Sequence, residues 1–202
     1  MAAGFALAAT ITILLVIPPT GTQGRSGWTQ AEGGPLGPAD RDLLAKVRQA
    51  GLWEIPTGQQ AQQRASSEKV KDVGMHLVED HTKLDKVTRE LAARLDVVLP
   101  SQPNADQQGW MAQLSAVTGT AYDRDFANFL RLAHGKVFTA IAAVRAGTRN
   151  DEMRRFATQA NAVVLKHMTL LESTGLVDFD SLPEPPTPSP VPVAAEPRRE
   201  NP

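Results

Sequence analysis

ASSEKVKDVGMHLVEDH, residues 65–81, contains both the start signal and the first turns of a long helix. Ser66 and Ser67 are of a type that caps helices, because the hydroxyl oxygen accepts the first free backbone N–H groups. Apolar residues then recur every three or four positions, the spacing of one face of an α-helix. This apolar stripe predicts a helix from the serines to about Leu95, and one of its members, His81, is polar.

The same period extends over the rest of the chain's middle, where no segment alternates as a strand would. Long helices are predicted from about Asp40 to Ala65, from Ala121 to Ala146, and from a cap at Asn150 to Gly175, with a shorter helix over residues 105–117. Four long amphipathic helices with short connections predict an all-α protein, an up-down-up-down four-helix bundle.

The first predicted helix contains a proline, Pro56. An interior proline removes one backbone hydrogen bond and clashes with the preceding turn. The sequence therefore predicts a kink or a break near Ile55.

The two ends of the chain differ from its middle. Residues 1–24 begin with an uncharged apolar run as far as Ile17, which predicts a signal peptide or a membrane anchor. Residues 25–39 are rich in proline and glycine and are expected to be a linker. The bundle is assigned to residues 40–176. Residues 177–202 hold most of the chain's prolines and are expected to be a disordered tail.

The composition of the chain limits the classes of partner and of chemistry that can be expected. The net charge is −1, aromatic residues make up 5%, and the basic residues form no cluster, so nucleic acid is not an expected partner. The absence of cysteine excludes disulfides, thiolate metal sites and thiol nucleophiles. The membrane is a partner if the N-terminal segment is not cleaved, and the sequence does not identify a protein partner.

Four polar residues occupy the apolar stripes of the four long helices: Glu54, His81, His134 and His167. Three neutral imidazoles and a carboxylate are ligands that hold zinc or another divalent metal. Alternatively, the four side chains form a buried hydrogen-bond network that satisfies its own members. We favour the network at this stage, because single histidines at long spacings coincide by chance more readily than a compact motif does.

Other polar residues receive simpler interpretations. Asp80 lies about 100° around the helix from His81, where it could support a neighbouring imidazole, but ordinary surface charge is the favoured interpretation. His76 is expected to be solvated. Asp123 and Asp125 suit the N-terminal dipole of their helix.

Several enzyme motifs are missing. No histidine has a glutamate three residues before it, so the paired Glu-x-x-His steps of di-iron bundles are absent. There is no His-Glu-x-x-His, no glycine-rich phosphate loop and no Gly-x-Ser-x-Gly elbow. These absences favour a role other than catalysis.

Five short stretches together resemble a bacterial family, Domain of Unknown Function 4142. They are the opening stretch, GLWE at 51–54, YDRDF at 122–126, LAHGK at 132–136 and VVLKHM at 163–168. The resemblance covers about residues 41–171 and implies a ferritin-like fold in a secreted or membrane-attached protein. It implies no particular activity. The sequence departs from the family pattern at Pro56.

Taken together, these observations predict an exported or membrane-anchored helical bundle located outside the cytoplasm. We expect a non-enzymatic interaction or envelope-stress role. The alternative is a metal-binding or metal-dependent redox protein that uses Glu54, His81, His134 and His167, with a divalent metal as its cofactor.

Overall fold

The computed structural model describes residues 27–185, which are mostly helical, as the sequence predicts. The elements are β1 (Thr29–Ala31), β2 (Gly34–Leu36), α1 (Pro38–Arg64), α2 (Glu68–Arg94), α3 (Ala105–Ala116), α4 (Gly119–Gly147) and α5 (Asp151–Glu172). A short 3-10 helix follows at Phe179–Ser181. The predicted signal peptide or anchor and the last 17 residues of the predicted tail lie outside the described residues. Within the described part, no helix has the length and apolar character needed to cross a membrane.

Two of the predicted helix caps are present. The hydroxyl of Ser67 accepts a hydrogen bond from the backbone N–H of Val70 at 3.4 Å, at the start of α2. The side-chain oxygen of Asn150 accepts from the backbone N–H of Met153 at 3.1 Å, at the start of α5. The cap residues therefore mark the helix starts that the sequence predicts.

Helix α1 continues through Pro56 without interruption, so the predicted break near Ile55 is wrong. Residues on both sides of the proline are buried, including Trp53 and Thr57. The carbonyl of Thr57 also accepts a hydrogen bond from the Tyr122 hydroxyl of α4 at 3.1 Å. Packing against neighbouring helices holds the segment helical, because tertiary contacts override a local propensity.

The long helices form a ring in which α1 lies beside α2, α2 beside α5, α5 beside α4 and α4 beside α1. The start of α4 lies at the start of α2, since the Asp123 carboxylate accepts hydrogen bonds from the backbone N–H groups of Ser66 and Ser67 at 3.1 and 3.0 Å. Helices α2 and α4 therefore run in the same direction. The predicted up-down-up-down order is wrong.

The reason is the connection over residues 95–118, which is not a short loop. It contains α3, which packs against α1 and α4 and carries the chain back along the bundle. At its far end, the Ser115 hydroxyl accepts a hydrogen bond from the Gln60 side chain near the end of α1, at 2.9 Å. Each helix of the ring is therefore antiparallel to its neighbours, with one long crossover in the chain.

The predicted linker over residues 25–39 contains a folded β-hairpin, formed by β1 and β2. Leu36 of the hairpin is fully buried in the core, and the Asn150 side chain donates hydrogen bonds to two hairpin carbonyls at 2.7 and 2.8 Å. The glycines that suggested a linker make its turn, because Gly33 and Gly34 have φ of +80° and +119°. The described part of this segment thus packs on the bundle.

The core consists of two apolar clusters, one toward each end of the bundle. On α2, for example, Leu77 belongs to one cluster and Leu84 to the other; on α4, Leu130 and Ile141 are divided in the same way. The polar positions singled out from the sequence lie between these clusters. The bundle therefore has a polar layer near the middle of its length.

Candidate metal centre

The four polar residues of the helix stripes meet in this middle layer. Each long helix supplies one residue, and each is at most 2% exposed. Each side chain offers one potential ligand atom, and these atoms all lie within 4.8 Å of one another. The cluster consists of Glu54 on α1, His81 on α2, His134 on α4 and His167 on α5.

The closest contacts of the cluster have the spacing of ligands around a single ion. The Glu54 Oε2 lies 2.7 Å from His81 Nε2 and 3.4 Å from His134 Nε2. The His134 Nε2 lies 3.2 Å from His167 Nδ1. Tetrahedral ligands with bonds of about 2.0 to 2.1 Å lie about 3.3 Å apart. Small side-chain movements would therefore place these four atoms around one metal.

The outer contacts of two histidines determine which nitrogens carry protons. The His134 Nδ1 lies 2.8 Å from the Leu130 carbonyl oxygen, and the His167 Nε2 lies 3.0 Å from Asp80 Oδ2. Both partners are acceptors, so we assign a proton to each of these nitrogens. In the neutral rings, His134 Nε2 and His167 Nδ1 are then bare lone pairs that face each other at 3.2 Å.

The contact between Glu54 and His81 is close but poorly aligned. Although 2.7 Å separates Glu54 Oε2 from His81 Nε2, the angles are not those of a hydrogen bond. These two atoms, and His81 Nδ1 as well, have no hydrogen-bond partner among residues 27–185. A buried polar atom without a partner costs roughly 1 to 3 kcal/mol. These converging ligand atoms belong to the residues that could hold a cation.

Burial keeps His134 and His167 neutral. It lowers the pKa of His167 to about 3, with the charges of His134 and His81 acting in the same direction. Burial also lowers the pKa of His134. A neutral imidazole is the form that binds metal.

The lowered pKa of Glu54 favours its charged form, whereas the lowered pKa of the two histidines favours their neutral form. Burial opposes its ionisation, but protonated His134 and His81 would hold its pKa at about 2. The two requirements conflict, since the low pKa of Glu54 needs positive charge that burial prevents His134 and His167 from carrying. Burial dominates for His134 and His167, because both rings are at most 1% exposed. A metal ion supplies the positive charge without protonating a ring.

Asp80 acts on the cluster from outside. Its Oδ2 accepts from His167 Nε2 at 3.0 Å and lies 2.7 Å from the Lys166 ammonium. Burial opposes its ionisation, but Lys166 and His167 lower the pKa of Asp80. The sequence favoured ordinary surface charge for Asp80, whereas the structure places it where a carboxylate orients a ligating histidine. Asp80 lies about 100° around α2 from His81, and its side chain therefore faces α5.

Two further residues lie outside the cluster. His76 has a side chain that is 36% exposed, with Nε2 3.9 Å from Asp72, which agrees with the expectation that it is solvated. Asp123 does more than suit a helix dipole, because it is buried and closes the turn between α1 and α2. The sequence gave no sign of that contact, which joins residues far apart in the chain.

A cleft between α1, α3 and α4 reaches the cluster from one side. Its volume is about 160 Å³, and its lining includes Glu54 together with Lys46, Gln107, Trp110 and Lys136. We call it the α3 cleft. Sequence reasoning missed it because nothing in the sequence specifies where α3 packs.

Comparisons with known proteins place the chain in a family. No curated protein and no solved structure matches it. The family model described as Domain of unknown function (DUF4142) matches residues 27–173. The match spans the hairpin, all five helices and every residue of the cluster. Because it covers well over half of the 202 residues, the chain belongs to the DUF4142 family.

Proposed function

We propose that this protein binds one divalent transition-metal ion in the middle of its bundle, and that the ion ties the four long helices together. The observation that carries the proposal is the convergence of four buried ligand atoms whose lone pairs face one another. Glu54, His81 and the two other histidines each come from a different helix. One ion bound to all four would act as a cross-link.

The ligand types indicate which ions fit. Three imidazole nitrogens and one carboxylate oxygen suit zinc, copper, iron or nickel, whereas calcium and magnesium prefer sets of oxygen ligands. Four protein ligands also complete a tetrahedral shell, as in structural zinc sites, and leave no position for a reacting water. The donor set therefore supports a stabilising role rather than catalysis.

A hydrogen-bond network without metal fits the contacts less well. Such a network needs a proton between each pair of close polar atoms. Two of the available protons are committed to the Leu130 carbonyl and to Asp80. The misaligned contact of His81 with Glu54 leaves further atoms without partners. A metal would satisfy Glu54 Oε2 and the inward-facing nitrogens of all three histidines at once, with only His81 Nδ1 still without a partner, which supports the metal over the network.

The location and fold relationship are also proposals. The uncharged apolar start of the chain supports export, with the bundle secreted or anchored to the membrane outside the cytoplasm. There it would serve an interaction or envelope-stress role. The single long crossover supports a ferritin-like relationship, since ferritin-like bundles also have one. Alkaline phosphatase fused after residue 185 should be active in bacteria; an inactive but stable fusion would contradict export.

The metal proposal is tested by thermal unfolding of the full-length chain, purified without an affinity tag and stripped with a chelator. The melting temperature should rise with the logarithm of the free zinc concentration, about 1.4 kcal/mol of stability for each tenfold above the dissociation constant. His81→Ala should lose this response. His76→Ala changes a solvated histidine on the same helix and should keep it.

Two results would reject the proposal. One is a wild-type melting temperature that does not change with zinc, cobalt, nickel, copper or iron. The other is a His81→Ala protein that responds to metal as strongly as the wild type, because the ion would then bind elsewhere.

A further inference from the structure

The α3 cleft has the size of a small ligand. An engineered cavity of about 150 Å³ binds benzene, so the cleft's volume of about 160 Å³ fits a molecule with one six-membered ring. It lies in the groove between α1 and α4, and the first turns of α3 form one of its walls. The crossover therefore builds a site that four helices alone would not have.

Two tryptophans, with ring planes inclined by 50°, give the cleft aromatic walls. Trp53 and Trp110 both line it, with ring centroids 5.4 Å apart, and Trp110 stacks on Phe129. Trp53 is fully buried, yet its indole N–H has no acceptor within residues 27–185.

One lysine that is unpaired within residues 27–185, Lys136, lies at the mouth of the cleft. Lys46 and Lys136 line it and are exposed, and Lys46 is ion-paired with Asp42. Lys136 makes no ion pair in the described part of the chain, and its ammonium lies 5.8 Å from the centroid of Trp110. On the acidic side, Glu54 forms part of the inner lining and Asp106 is exposed at the rim. An acid group would therefore lie beside Lys136, away from Glu54 and Asp106.

We infer that the α3 cleft binds a small organic carboxylate with a flat apolar body, about the size of benzoate. Its ring lies against Trp53 and Trp110, and its carboxylate meets Lys136 and Lys46. Neither the lysines nor the tryptophans belong to the metal centre. The inference thus goes beyond the proposed metal site, although Glu54 is common to both.

Benzoate is the probe. Titrated into the metal-free, full-length chain, it should quench tryptophan fluorescence with saturation at one molecule per chain. Lys136→Met should weaken binding roughly tenfold, the loss expected for a hydrogen bond to a charged group. Ala133→Phe, which fills the cleft, should abolish binding. Benzamide, with the same shape and no charge, should bind at least about tenfold more weakly than benzoate.

Matched variants away from the cleft provide the controls. Lys83→Met changes an exposed lysine of α2, and Ala142→Phe adds a ring to an exposed position of α4. Both should bind benzoate as the wild type does, and melting curves should show that all four variants fold.

The inference is overturned if benzoate does not saturate, if benzamide binds equally well, or if folded Lys136→Met and Ala133→Phe proteins bind like their controls. Because the titration uses metal-free protein, none of these outcomes depends on the metal proposal.

Discussion

Glu54 is the residue whose position is hardest to explain without a cation. A carboxylate that leaves water needs a partner for its charge, and several kcal/mol are lost if none is present. Glu54 is 2% exposed, and burial keeps His134 and His167 neutral beside it. One ion at this position satisfies the carboxylate and the ring lone pairs together.

The contact of Asp80 with His167 leads to a prediction for metal affinity. Asp80→Asn removes the negative charge that raises the basicity of the ring, so the affinity for zinc should fall about 10-fold to 100-fold. Competition with a chromophoric chelator measures this change. Glu90→Gln, at an exposed position of the same helix, should bind zinc as the wild type does. Equal affinities in the two variants would show that Asp80 does not support the site.

The candidate residues were recognisable from the sequence, but their partners were not. A histidine such as His134 stands out because it interrupts an apolar stripe, and the stripe itself predicts burial. Its contact with the Leu130 carbonyl and the contact of Asp80 with His167 depend on side-chain torsions and on how α2 and α5 are rotated. Those rotations are set by packing between helices, which a single sequence does not specify.

At the level of elements, α1 and α2 approach each other closely through two glycines. A Cβ atom added at Gly58 would lie 2.4 Å from the backbone oxygen of Gly74, and one added at Gly74 would lie 2.9 Å from the backbone oxygen of Gly58. This close contact lies one turn from Glu54 on α1. It therefore helps to hold Glu54 against His81.

Gly58→Ala should consequently push the two helices apart. We expect a loss of about 1 to 3 kcal/mol in the free energy of unfolding, as for other overpacked cores, together with weaker metal binding. Gly51→Ala on the same helix is the control, because its new Cβ would meet its nearest neighbour at an ordinary 3.5 Å. It should be neutral or stabilising by up to about 1 kcal/mol. Urea unfolding of both variants measures the difference, and equal stabilities would contradict the close contact.

The elements themselves were largely predictable, and the connection between α2 and α4 was not. Caps such as Ser67 and Asn150 and the period of the apolar stripes locate the helices. The path of residues 95–118 depends on where α3 packs, and α3 is short, with few buried residues. Because the packing of α3 could not be predicted, neither the crossover nor the α3 cleft could be predicted.

For the whole molecule, the hairpin extends the folded unit beyond the four long helices. Leu36 is fully buried, and Asn150 of the α5 cap is bound to the hairpin turn. A chain of residues 38–185 should therefore be less stable than one of residues 27–185 by about 3 kcal/mol, from the lost apolar burial and the orphaned amide. Thermal melts of the two chains compare them. Equal melting temperatures would mean that the hairpin is only a linker.

The whole bundle consists of two apolar clusters separated by one polar layer. Both clusters hold the helices together by burial, and the layer between them is stable only if its polar atoms are satisfied. A metal there joins all four long helices at a single point. The ion would then select one register of the helices over neighbouring ones.

The most direct test of this account is equilibrium dialysis of the metal-free, full-length chain against buffered zinc, followed by elemental analysis. The wild type and His76→Ala should each bind one ion per chain with the same affinity. His81→Ala, His134→Ala and His167→Ala should each bind far less at the same free zinc concentration. No bound zinc in the wild type, or equal zinc in all five proteins, would contradict the account.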